Sequence, residues 1–301
     1  MPSDLFHDKA YLLFPLLAAM LYGVAATALK TASNRGCGIV RTMCVCNWLT
    51  GLAFLAFYDW SLFPSLPDPW WPSVVLAMLF VLGSFFTVFA LSHGDVSVAT
   101  PVLGVKVVMV AFMVAFVLGV DLEPRTWVAS IFAVLGIVSI QINDRPHDRG
   151  KIVVSVVFAL LATACFGAFD TMNQHWSPRV GFANLVPPGM VVASVLSLAF
   201  IPMLKGRVRD LSGKALLYLG IGAGLMTVQA VILIWSIGTY QDAAGANVVF
   251  GSRGLWSVVF VWLFGQRFGN VELKQRHPKV VWARIGGAIL ICAAIVLMFT
   301  G

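Results

Sequence analysis

Charged residues are scarce in this sequence. Asp, Glu, Lys and Arg make up 11% of the 301 residues, and 59% of the residues are hydrophobic. A soluble domain carries about 25% charged residues, so this composition excludes a soluble globular protein. The alternation of polar and apolar residues that marks a transmembrane β-barrel is also missing. Apolar runs of about 20 residues recur instead, and each is long enough to span a bilayer as a helix. The composition therefore predicts an all-α, polytopic membrane protein.

Motifs for catalysis and for metal or nucleotide binding are absent as well. The chain has no His-Glu-x-x-His, no Gly-x-Ser-x-Gly and no ATP-binding loop. Its five cysteines show no Cys-x-x-Cys spacing and are interpreted as packing residues. The net charge of +7 comes from cations in short loops between apolar runs, which sets orientation rather than binding nucleic acid. The sequence predicts no enzyme, no cofactor, no metal and no nucleic-acid partner.

Charged, proline-rich and glycine-rich breaks divide the chain into ten candidate membrane-spanning helices. Five fall on each side of the polar connection Asn143–Lys151, which predicts two five-helix units, residues 1–146 and 147–301. The candidate helices are Tyr11–Leu29, Ile39–Tyr58, Ser73–Leu91, Val96–Leu118, Thr126–Ile142, Ile152–Gln174, Asn184–Leu204, Ala215–Ile237, Ala243–Phe264 and Val281–Thr300.

The two units repeat one another. Lys106 and Arg253 are lone cations inside apolar runs, each two residues after a glycine, and they are 147 residues apart. Trp127 opens the fifth helix as Trp282 opens the tenth. Because five spans are an odd number, the second unit enters the membrane from the opposite face. The pattern predicts two inverted five-helix repeats, an architecture in which a central site is opened alternately to either side.

The lone cations are the leading candidates for a binding site. A charge at bilayer depth costs a few kcal/mol or more, so it usually lines a water-filled path or contacts a substrate. Lys106 and Arg253 would suit a carboxylate, phosphate or sulfate, although each could instead pair with a buried acid and hold the bundle together. Asp170 is a candidate for proton coupling or for charge pairing with one of these cations. Further polar groups that could bind a ligand, or join helices, are Asn173, Gln229 and Asn247.

The distribution of loop cations predicts the orientation. Apart from Lys106 and Arg253, 15 Lys and Arg residues fall in odd-numbered connections and three on the other side. The positive-inside rule then places the odd-numbered loops in the cytoplasm and both termini outside.

Several short patterns in the first half are similar to those of a known family. An aromatic–glycine pair, Tyr22–Gly23, is followed seven residues later by Lys30, and Arg41 lies near the start of the second helix. Further matching positions are Pro101 and Gly119. In this order they resemble the EamA-like, ten-helix members of the drug/metabolite transporter superfamily. The family usually has Gly-Glu where this chain has Gly119 and then Val120.

This resemblance implies a carrier of small solutes in a bacterial inner membrane. Family members usually keep both termini in the cytoplasm, which conflicts with the charge bias. The leading hypothesis is a secondary active transporter of a small anionic metabolite that works by alternating access, as a monomer or homodimer, with a coupling proton or counter-substrate as a further partner. An exporter or uptake carrier of amino acids or of neutral, drug-like solutes is the alternative. A second class of hypothesis is an anion channel or a non-transporting scaffold.

Overall fold

The computed structural model describes residues 9–62, 68–141, 149–204, 206–264 and 278–300. The boundary predicted at residues 146 and 147 lies outside this part of the chain. Among the described residues there is no β-strand, and the structure consists of α-helices joined by short 3₁₀ and π turns. The α-helices are α1 Leu13–Ala32, α2 Ile39–Phe54, α3 Trp71–His93, α4 Val96–Gly104, α5 Lys106–Phe116, α6 Pro124–Ile140, α7 Arg149–Val180, α8 Phe182–Leu196, α9 Gly213–Tyr240, α10 Ala243–Phe250, α11 Arg253–Phe264 and α12 Pro278–Phe299.

Eight spans within the described residues are long and apolar enough to cross a membrane, whereas ten were predicted. The predicted fifth span corresponds to α6, which has 17 residues. At 1.5 Å per residue such a helix is about 25 Å long, shorter than the roughly 30 Å hydrocarbon core. The predicted ninth span is divided into α10 and α11, each too short to span alone.

The fourth and ninth predicted helices are interrupted at equivalent places. Val105 separates α4 from α5, and a two-residue turn at Gly251 and Ser252 separates α10 from α11. Pro101 lies inside α4, and the break follows it. Each second segment begins at a lone cation, Lys106 in α5 and Arg253 in α11.

The sixth predicted helix extends further than expected at its C-terminal end. We predicted an end at Gln174, but α7 continues to Val180 and contains Pro178. In the sequence, the polar residues around Asn173 and Gln174 resemble the polar end of a membrane-spanning helix. In the structure both side chains are buried and hydrogen-bonded to neighbouring helices, so the helix continues through them.

The two short helices that follow tight hairpins start in the same way. Asp95 precedes α4, and its carboxylate accepts a hydrogen bond from the Ser97 N–H at 2.9 Å. Asp242 precedes α10, and its carboxylate accepts one from the Gly245 N–H at 2.8 Å. An acidic N-cap satisfies a backbone N–H that has no partner within the helix. Asp95 and Asp242 are 147 residues apart, which is also the separation of Lys106 and Arg253.

Helices from the two halves pack against one another in reciprocal pairs. The first helix of the chain, α1, has its largest contact with α9, and α7 has its largest contact with α3. In addition, α2 packs on α8, and α6 packs on α12. The bundle is thus held together mainly by contacts between the halves rather than within them.

The contact between α6 and α12 depends on two facing glycines. A Cβ atom on Gly287 would lie 2.7 Å from the carbonyl oxygen of Gly136 and 2.9 Å from the side chain of Ile140. A Cβ on Gly136 would likewise lie 2.7 Å from the carbonyl oxygen of Gly287. Small residues allow helix backbones to approach closely, which is a main source of helix association in membranes.

We predict that Gly287→Ala destabilises the protein while Gly286→Ala does not. A Cβ atom added to the neighbouring Gly286 would have no other group within 4 Å. Both changes therefore add the same methyl group to the same helix, but only one meets the α6 backbone. Overpacking of this kind costs about 1–3 kcal/mol. Thermal melting of the purified variants in detergent measures the difference, and equal melting temperatures would show that the glycine contact contributes nothing.

Candidate functional site

Lys106 and Asp170 form an ion pair inside the helix bundle. Lys106 is the first residue of α5, and Asp170 lies in the second half of α7. The Lys106 Nζ is 2.6 Å from the Asp170 Oδ2, and the two side chains are 12% and 3% exposed. Such a buried pair is costly to desolvate and is kept only when its partners are well placed.

Asn247 on α10 completes this group. Its Nδ2 donates one hydrogen bond to the Asp170 Oδ2 at 2.7 Å and another to the Ala243 carbonyl oxygen at 2.9 Å. One amide nitrogen carries two hydrogens, so both donors of Asn247 are used. The carboxylate oxygen of Asp170 thereby joins α5, α7 and α10 at one point.

Arg253 has a different environment. Its guanidinium carbon lies 5.3 Å from the centre of the Tyr22 ring on α1 and 4.7 Å from the centre of the Phe250 ring on α10. These rings are perpendicular to each other. Within the described part of the chain, no carboxylate oxygen lies within salt-bridge distance of Arg253. Aromatic faces attract a cation but do not neutralise its charge, so this guanidinium can still accept an anion.

Each cation lies next to the first helix of the other half. Gly23 on α1 lies against α11, where a Cβ on this glycine would be 2.9 Å from the Ser257 nitrogen. Gly167 on α7 faces α5, with the Val110 side chain 3.6 Å from the Cβ position. Gly23 and Gly167 are 144 residues apart, and Val110 and Ser257 are 147 apart. Both glycine contacts thus join the two halves, at nearly the same separation along the chain.

Two of the other predicted ligand residues, Asn173 and Gln229, differ in their hydrogen bonding. The Asn173 Nδ2 donates to the Ile234 carbonyl oxygen on α9 at 2.9 Å, and its Oδ1 accepts from the Ser177 hydroxyl at 2.9 Å. Asn173 therefore joins helices in this structure. The Gln229 Nε2 donates to the Met226 carbonyl oxygen at 3.0 Å. Its buried Oε1 has no hydrogen-bond partner in the described region.

Gln174 is a polar residue whose role the sequence did not reveal. Its Oε1 accepts a hydrogen bond from the Ala243 N–H at 2.8 Å, at the first residue of α10. Together with Asp242, it satisfies the N-terminus of that helix. A glutamine at the predicted end of a span gave no sign of this role, because the backbone N–H that it binds lies 69 residues away in the sequence.

The positions that carried the family resemblance are distributed over the fold. Tyr22 and Gly23 lie beside Arg253 and α11. Lys30 is exposed in the last turn of α1. Arg41 is buried and donates from Nη2 to the Gly206 carbonyl oxygen at 2.8 Å, so it holds a connection rather than the central part of the bundle. Gly119, with φ of 67°, lies in the connection before α6. Pro101 lies within α4.

Two further contacts close the hairpins that precede α4 and α10. The Tyr11 hydroxyl donates to the Asp242 Oδ2 at 2.7 Å. The Ser155 hydroxyl on α7 donates to the Asp95 carbonyl oxygen at 3.1 Å, and the Asp95 N–H donates back to this hydroxyl. Tyr11 and Ser155 are 144 residues apart. Each hairpin is therefore fastened near the beginning of a helix from the other half.

All five cysteines are free thiols, and the described residues contain no group of His, Cys, Asp and Glu side chains that could hold a metal ion. Lys106, Asp170, Asn247 and Arg253 lie beside the breaks between α4 and α5 and between α10 and α11. We call these four residues the central site.

An all-helical bundle with apolar membrane-spanning helices and buried charges defines an integral membrane protein. Residues 9–142 match the model described as the EamA-like transporter family, which confirms the predicted resemblance for this part of the chain. Members of this family are membrane transporters of small solutes.

A solved structure shares the fold of this chain. A structure described as "Crystal structure of protein" is similar over 96% of this chain and 96% of its own chain, with a TM-score of 0.72 and 16% sequence identity. At this identity the likeness shows the fold alone. No curated protein matches the sequence.

We predict that Asp170→Ala strongly destabilises the protein, because it leaves Lys106 buried without its carboxylate. Removing one member of a buried pair costs about 3–5 kcal/mol. The double variant Lys106→Met/Asp170→Ala removes both charges and should recover most of the lost stability. Thermal melting in detergent tests this, and a double variant that is no more stable than Asp170→Ala would contradict a stabilising role for the pair.

Proposed function

We propose that this protein is a secondary active transporter that carries a small anionic metabolite across a bacterial inner membrane. Transport would proceed by alternating access between two inverted five-helix repeats, residues 1–146 and 147–301, with ten spans in all. The observation that carries the proposal is the position of Lys106 and Arg253, each at the first residue of a helix segment that begins at a break. Broken helices at a repeat interface are the usual substrate sites of such transporters.

The packing supports the inverted repeat. Contacts recur at separations of 144 residues on the first helices, α1 and α7, and of 147 residues on the interrupted ones. Each first helix lies against the interrupted helix of the other half. An inverted repeat requires this reciprocal arrangement, because its two units are related by an axis in the plane of the membrane.

The electrostatics support an anionic substrate. Both cations lie among apolar and aromatic side chains, where a charge interacts more strongly than in water. The N-terminus of each helix segment adds partial positive charge at the same place. An anion that approaches Arg253 would also attract Lys106 away from Asp170. Asp170 would then be free to take up a proton or to be neutralised by a counter-substrate, which would couple the two movements.

A zwitterionic amino acid is the second candidate substrate. Asp170 favours it, because this carboxylate could accept the ammonium group while Arg253 binds the carboxylate. The ammonium group of an amino acid would then replace Lys106 as the partner of Asp170. An anion, in contrast, would replace Asp170 as the partner of Lys106.

The exchange of Lys106 or Arg253 for Met should abolish anion uptake into proteoliposomes. Methionine keeps an unbranched, apolar side chain but removes the positive charge. The matched control is Lys214→Met, which removes an exposed lysine from the first turn of α9 and should leave uptake unchanged. Uptake of a panel of radiolabelled carboxylates, phosphates and amino acids measures the effect. A folded Lys106→Met/Arg253→Met protein with normal uptake would refute the proposal.

The hairpin contacts offer a test of alternating access. We expect Tyr11→Phe to weaken the closure at Asp242, and Ser155→Ala to weaken the closure at Asp95. Losing a hydrogen bond to a charged group costs about 1.5–3 kcal/mol, so the first variant should increase amide exchange of residues 241–246 about tenfold or more. Hydrogen–deuterium exchange measures both hairpins in both variants.

The two variants are controls for each other. Each should increase exchange at its own hairpin and leave the opposite hairpin unchanged or better protected, because opening one side of an alternating-access carrier favours closure of the other. Equal increases at both hairpins in either variant would indicate general loosening and would contradict two separate closures.

A further inference from the structure

We propose that the central site is selective for ligands with one net negative charge and rejects dianions. This inference rests on the proposed function, since it specifies the anion that binds between Lys106 and Arg253. It follows from an imbalance between two half-sites that are otherwise built alike.

The two half-sites share a cation and an aromatic ring. In the first, the Lys106 Nζ lies 5.9 Å from the centre of the Phe166 ring on α7. In the second, the Arg253 guanidinium carbon lies 5.3 Å from the centre of the Tyr22 ring on α1. Phe166 and Tyr22 are 144 residues apart, and each is followed by the glycine that packs against the other half.

Only the first half-site contains an acid. Asp170 lies four residues after Phe166, one helical turn further along α7. The residue four positions after Tyr22 is Ala26, which is 144 residues before Asp170. Ala26 is half-buried. The chain therefore places a methyl group where the repeat would place a second carboxylate.

This difference fixes the charge of the central site. Lys106 and Arg253 contribute two positive charges, Asp170 contributes one negative charge, and Asn247 is neutral. Arginine remains protonated under all ordinary conditions. The packing of the two breaks brings the cations together, because the side chain of Val107, next to Lys106, lies 3.3 Å from the Cβ position of Gly251, two residues before Arg253. One positive charge is left without compensation among the described groups.

A bound monoanion makes the central site neutral, whereas a dianion leaves one negative charge in excess. An uncompensated charge in a buried site is strongly unfavourable. Asp170 would repel a dianion most strongly, because its carboxylate already forms an ion pair with the Lys106 ammonium. The site should therefore discriminate by charge number even between ligands of similar size.

The experiment compares ligands that share a skeleton and differ by one charge. Monomethyl succinate and succinate, and lactate and malate, are added to the full-length protein in detergent at pH 7.5, and binding is measured by thermal shift and by calorimetry. We expect each monoanion to bind at least about tenfold more tightly than its dianionic relative, which corresponds to about 1.4 kcal/mol. Dianions that bind as tightly as monoanions would overturn the inference but leave an anion transporter intact.

Two charge variants test the cause. Asp170→Asn raises the charge of the central site by one and should shift the preference toward dianions about tenfold, whereas Asp121→Asn, which removes an exposed acid in the connection before α6, should not. Ala26→Asp supplies the missing carboxylate and should abolish anion binding, whereas Ala26→Asn should not. Unchanged preference in Asp170→Asn refutes the inference even if Ala26→Asp fails to fold.

The same measurements separate this inference from the proposed function. If some anion binds and the charge preference is absent, only the selectivity is wrong. If no anion stabilises the protein and Lys106→Met/Arg253→Met still transports another solute, the proposed function is wrong and the selectivity is rejected with it.

Discussion

The ion pair between Lys106 and Asp170 is the constraint on which the arrangement of the bundle interior depends. Either charge would be costly alone in an apolar helix bundle, because desolvation of a single ion costs several kcal/mol. Asn247 donates to the same carboxylate oxygen that binds Lys106. As a result α5, α7 and α10 meet at one atom, and the breaks that precede Lys106 and Arg253 lie beside it.

The two halves share their packing but differ in charge. Gly23 lies against the backbone of α11 and Gly167 lies against side chains of α5, and neither contact needs a polar group. The residue one turn further along can therefore change without loss of the scaffold. Asp170 occupies this position on α7, and Ala26 occupies it on α1. The two halves can in this way be packed alike around a site that is asymmetric in charge.

The sequence was sufficient to predict an all-helical membrane protein, the resemblance of its first half to the EamA-like family and most helix positions. Apolar runs and the matching positions of Lys106 and Arg253 can be recognised without a structure. The sequence left open the role of Asp170, which depends on a partner 64 residues away in the chain. It also missed the breaks at Val105 and at Gly251–Ser252, since an interruption inside an apolar run has no polar signal. Asn173 was interpreted as a ligand candidate because its partner, the Ile234 carbonyl, belongs to the backbone and has no sequence signature.

The contacts around α7 indicate which parts of the central site can move. Asn173 joins α7 to α9, and Gln174 and Asn247 join α7 to α10. Three hydrogen bonds at or close to Asp170 therefore hold this part of α7 in place. The ammonium of Lys106 is held by one carboxylate at the end of a flexible side chain. Separation of the ion pair would therefore move the Lys106 side chain while Asp170 stays in place. An anion arriving at Arg253 would have to compete with a fixed carboxylate for a mobile lysine, so its charge, more than its shape, would decide whether the pair opens.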